Sequence, residues 1–125
     1  MIVFQHTFTD TQDVQAQFHV LGLAQRAKDD FAPFRPRKNA KPSVFGADMV
    51  AATYLNADSV QTVAVYFKNV SDKQLMQKLG VANAETKTGA KTTLVVEGAA
   101  ELEAESGGDE VIPFRSNVAC QLSVK

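Results

Sequence analysis

The segment from Phe31 to Phe45 interleaves Phe34 and Phe45 with Arg35, Arg37, Lys38 and Lys41, and Pro33, Pro36 and Pro42 stiffen it. Single-stranded nucleic acid is recognised by that mixture. Bases stack on aromatic rings for about 1 to 3 kcal/mol each, while cations follow the phosphates. Prolines reduce the entropy lost when such a loop is ordered on binding. The ordinary reading of the same residues is that the rings anchor the loop to the core and the cations are simply solvated.

Histidine is the most versatile acid–base group and metal ligand at neutral pH, and only His6 and His19 are present. His6 shares strand parity with Ile2, Phe4 and Phe8, and His19 with Gln15 and Gln17, so paired strands would aim the two rings at opposite faces. A joint metal site is therefore not expected. Cys120 sits between Val118 and Leu122 in an apolar stripe, where a thiolate is disfavoured and the side chain packs as a small hydrophobe. Glu101, Glu103 and Glu105 fall at alternate positions. They suit a hard cation or paired carboxylates, but a solvated strand face accounts for them equally well. No nucleophile elbow, phosphate loop or dinucleotide fingerprint occurs. The sequence thus predicts a non-enzymatic protein without a cofactor.

The elements that must position these groups are best marked at the C-terminal end. Leu94, Val96, Ala100, Leu102 and Ala104 recur with period two, and after Gly107 and Gly108 the period returns in Ile112, Phe114, Val118, Cys120, Leu122 and Val124. That pattern predicts a hairpin of half-buried strands. With Ala104 opposite Ile112, Leu102 faces Phe114, Val96 faces Cys120, Leu94 faces Leu122 and Glu101 meets Arg115. A slip of one residue would turn both apolar stripes outward.

At the other end, Ile2 to Phe8 and Val14 to Val20 alternate, predicting two strands joined by Thr9 to Asp13. A helix from Thr11 is the competing reading, since Val14, Phe18 and Leu21 also fit helical spacing. Gly22 weighs against it as a poor helix residue. Leu23 to Gly46 reads as a long loop with one helical turn near Ala27, Ala47 to Leu55 as a short helix and Val60 to Lys68 as a strand. Ser71 and Gln74 form a capping box for a helix that stops at Gly80.

This order predicts one α+β domain over residues 1–125: a small antiparallel β-rich fold, with the order of an OB-like barrel or sandwich, and one or two short helices. The 45% of hydrophobic residues and 22% of charged ones suit a folded globular chain. One cysteine precludes an internal disulfide and points to a reducing compartment. Met1 to Phe8 do not read as a signal peptide, and no run approaches the length of a membrane span, so a cytoplasmic protein without membrane contact is expected.

A net charge of -1 gives no general attraction to polyanions. Charge is nevertheless segregated, with Arg26, Lys28, Arg35, Arg37, Lys38 and Lys41 early and Glu97, Glu101, Glu103, Glu105, Asp109 and Glu110 late. Two functions follow. The first is a binding protein for single-stranded nucleic acid, with Arg35, Arg37, Lys38 and Lys41 on phosphates and Phe34 or Phe45 on bases. The second is a structural or protein-interaction molecule, a homo-oligomeric assembly component or an inhibitor of another protein, of viral or mobile-element origin, whose opposite charges mate head to tail.

Overall fold

The computed structural model describes residues 11–25, 32–57, 60–80, 85–87, 92–104 and 109–123. In chain order these form α1 (Thr11–Val20), β1 (Leu23–Gln25), β2 (Phe34–Pro36), β3 (Ser43–Val44), β4 (Ala47–Ala57) and β5 (Val60–Phe67). There follow α2 (Asp72–Leu79), β6 (Glu85–Lys87), β7 (Thr92–Glu97), β8 (Ala100–Glu103), β9 (Val111–Phe114) and β10 (Ser116–Ser123). The main sheet has the order β1-β2-β4-β5-β10-β7-β6 with β3 attached to β4, while β8 and β9 pair separately. Every pairing among the described residues is antiparallel. The fold is therefore the antiparallel α+β class, with two short helices among the described residues. Its sheet runs open from β1 to β6 among the described residues and does not close into a barrel.

Strand alternation gives the main sheet two unlike faces. One carries Val63, Val65 and Phe67 of β5, Val118 and Cys120 of β10, Leu94 and Val96 of β7, and Phe34 of β2, all buried in one cluster. The helices supply Phe18 and Leu75 to this cluster, and the Phe18 and Phe34 rings meet at 4.4 Å with a 47° tilt. Each such side chain contributes roughly 1.5 to 3 kcal/mol by leaving water. The other face is covered at one end, where the β8–β9 hairpin folds back and Phe114 meets Tyr66 edge-on at 4.8 Å.

The C-terminal pairing keeps the expected faces but shifts the expected register. Val96 lies opposite Val118, Leu94 opposite Cys120 and Leu102 opposite Ile112, two residues from the predicted alignment. A period-two stripe excludes a slip of one residue but is blind to a slip of two. Glu101 consequently faces Pro113 and not Arg115. The predicted turn at Gly107 and Gly108 lies outside the described residues, as do Ile2 to Phe8 and the helical turn near Ala27.

Two elements differ in type from the expectation. Thr11–Val20 is a helix, not a strand. Gly22 is not inside it but just past its end at φ 92, where its N–H donates to the His19 carbonyl at 3.0 Å. A glycine that weakens a helix interior is well suited to stopping one. Ala47–Ala57 is a strand, not a helix. Its register shifts between Met49 and Ala51, so Val50 is an extra, bulged residue. Core-facing positions therefore run Ala47, Met49, then Ala52 and Tyr54, a spacing that hides the period of two. The segment read as one loop from Leu23 to Gly46 contains the short strands β1, β2 and β3. By contrast β5 and the capped α2 stand where the residues placed them.

Candidate functional site

The central connection is tied down through its own cations. Arg37 donates its backbone N–H to the Gly22 carbonyl at 2.8 Å and its guanidinium to the His19 carbonyl at 3.2 Å, so it closes the C-terminal end of α1, where a cation is favoured. Arg35 projects from β2 toward the sheet face that carries Tyr66, and its Nη1 pairs with Glu110 Oε1 at 2.9 Å. The Arg35 side chain is only 13% exposed, and its Nη2 is buried with no acceptor among the described residues. This pair anchors the β8–β9 hairpin, whose closing bond runs from the Ala104 N–H to the Glu110 carbonyl at 2.9 Å.

The rings of the same segment are likewise committed. Phe34 is 4% exposed and lies against Phe18. Phe45 is half-buried against the core at the tip of the β3–β4 hairpin. Its φ of 56 and the 70 of Gly46 give the two left-handed central residues that a two-residue type I′ connection demands. A phenylalanine is seldom found there, and its packing holds it in place. Lys38 and Lys41 remain exposed, the first inside and the second just after a turn in which the Ala40 N–H bonds the Arg37 carbonyl at 2.9 Å and Asn39 adopts φ 66. Of the predicted nucleic-acid contacts, then, Lys38 and Lys41 are exposed, Arg37 is exposed but bonded to the His19 carbonyl, and Arg35, Phe34 and Phe45 are buried in part or whole against the fold.

His19 is exposed in the last turn of α1, so the strand parity expected for it does not apply, and His6 lies outside the described residues. Glu101 and Glu103 point outward from β8 and are exposed, while Glu105 lies outside the described residues. Among the described residues no three His, Cys, Asp or Glu side chains converge as for a metal. Cys120 is buried in the core, and burial pushes its thiol up from the ordinary 9.0. Burial also raises the Tyr66 phenol above 10.0, a hydrogen bond with Thr53 at 3.2 Å opposes this, and the Glu97 carboxylate adds to it.

Sequence reasoning missed the surface on the second face of the sheet. Register lines up Thr53, Ala64, Ala119 and Val95 in one row across β4, β5, β10 and β7, and Leu55, Thr62, Gln121 and Thr93 in the next. Across these four strands neither row contains a charge, and register continues the rows to Glu85 and Lys87 on the edge strand β6. Leu55 is 49% exposed, Gln121 is exposed, and the others except Ala64 are half-buried. Outward strand positions in a protein with 22% charged residues would ordinarily carry several charges, as β8 does. The signal was present in the Val-Gln-Thr-Val-Ala alternation of β5, but only the pairing order brings the four strands side by side.

No helix among the described residues is long and apolar enough to cross a membrane. Comparisons with protein-family models, curated proteins and solved structures find no match.

Proposed function

We propose that this chain is a non-enzymatic protein-interaction molecule that assembles with a second copy of itself through the uncharged rows on β4, β5, β10 and β7. The observation that carries this reading is that four adjacent strands carry no charge along both rows, with Glu85 and Lys87 only at the β6 edge. In a twofold interface residue i of one copy meets residue j of the other and only residues on the axis meet themselves, so an uncharged patch can be buried without leaving any charge desolvated and unpaired. Two sheets stacked face to face bury such Thr, Ala, Val and Leu side chains about 10 Å apart. A single buried cysteine fits assembly in a reducing, cytoplasmic setting.

Sedimentation velocity across the micromolar range tests the proposal. The expected result is a monomer–dimer equilibrium that added salt leaves intact or strengthens. A head-to-tail assembly held by the exposed lysines and glutamates would instead weaken as salt screens it. A monomer at every concentration would refute both forms of self-assembly.

Binding of single-stranded nucleic acid is the second reading, and it is supported by the shared exposure of Lys38 and Lys41 around one turn. With Arg35 largely buried against Glu110 and the exposed Arg37 bonded to the His19 carbonyl, phosphate contacts from the two lysines alone give a salt slope of about -1.4. A fluorescence titration with labelled oligonucleotide should show that shallow slope and lose binding in a Lys38→Ala, Lys41→Ala variant. No binding at low salt ends this reading.

A further inference from the structure

An apolar groove lies at the opposite end of the sheet from the Leu55 row, and its origin is a pair of backbone irregularities. The bulge at Val50 widens the end of β4. Arg115 interrupts the run from β9 to β10, and its N–H turns to the Phe67 carbonyl at 2.8 Å. Between them opens a groove of about 370 Å³ lined by Val50, Ile112, Pro113 and Phe114, with Lys68 and Arg115 on its rim. No acidic residue lines it. Neither cationic side chain has a hydrogen bond or ion pair among the described residues, in contrast to those of Arg35 and Arg37 in the central connection.

We propose that this groove binds a small amphipathic anion, an apolar body of one or two rings carrying a carboxylate. The volume falls in the range of about 300 to 1,000 Å³ typical of small-molecule sites, which combine an apolar lining with a few polar groups that fix orientation. Val50, Ile112, Pro113 and Phe114 supply the apolar lining. Two cations with no carboxylate between them concentrate positive potential over a low-dielectric wall, which selects an anionic head. A bulge beside the site is in keeping, since such irregularities recur where a strand end is re-aimed for binding. The site is separate from the uncharged rows and does not depend on self-assembly.

Titration with 1-naphthoate, followed by amide chemical shifts in the full chain, tests the assignment. Saturable binding is expected in the millimolar range usual for a ligand of this size, with the largest shifts at Lys68, Ile112 and Arg115. Naphthalene-1-methanol, which has the rings without the charge, should bind about fivefold more weakly, and acetate, which has the charge without the rings, should not saturate. A Lys68→Gln, Arg115→Gln variant should bind naphthoate and the neutral alcohol equally. Equal affinities in the unaltered protein, shifts centred away from these residues, or no saturable binding would each overturn the proposal.

Discussion

At the scale of single residues, the same side-chain type does opposite work according to what lies beside it. Arg35 holds the β8–β9 hairpin through Glu110, whereas Lys38 and Lys41 are solvated. Glu110→Gln removes the charge that compensates the largely buried Arg35 and should cost about 1 to 2 kcal/mol in a urea titration; an unchanged midpoint would show that the pair is merely a surface contact. Tyr66 supplies a pH dependence with a definite sign. Its folded-state value is raised above 10.0, so the folded protein holds the phenolic proton more tightly than the unfolded chain. The associated stability is fully present below pH 10 and declines as pH climbs through the raised value. Tyr66→Phe should therefore lose less stability than the unaltered protein between neutral and strongly alkaline pH, with Cys120 present in both as an internal control. Parallel stability profiles would contradict the assignment.

At the scale of elements, legibility followed the locality of the signal. The α2 helix was readable because its Ser71–Gln74 box, with bonds of 2.9 and 3.2 Å, and its Gly80 stop are all local. Ser71→Ala should lower stability by about 1 kcal/mol, measurable as a fall in melting temperature, and no fall would mean that packing of Leu75 alone sustains the helix. The β4 strand was not readable, because the bulge at Val50 breaks its alternation and Ala, Met and Leu favour helix in isolation. Pairing with β5 along its length overrides that preference. Gly22 shows the same ambiguity from the other side. Its φ of 92, with the Ala40 Cβ 3.2 Å from any added methyl, makes Gly22→Ala costly, by about 1 to 3 kcal/mol; the sequence displayed the glycine but not whether it interrupts a helix or ends it.

At the scale of the whole molecule, the candidate surfaces depend on pairings between distant residues. Alternation in β5, β7 and β10 foretold which of their residues share a face, and the antiparallel class followed from it. Neither the strand order nor the placement of β2 beside β4 could be read locally, so the sequence left open whether the rings of the basic connection anchor to the core or face a ligand, and the pairing buries Phe34 and most of Arg35. The most direct measurement of the central claim compares sedimentation of the unaltered protein with Thr62→Lys, a change in the middle of the uncharged face, and with Lys41→Glu as a remote control, each checked for retained circular dichroism. Dimerisation by the unaltered protein and the control, with at least a tenfold loss in Thr62→Lys, is the predicted result. A Thr62→Lys protein that associates as well as the unaltered one would contradict it.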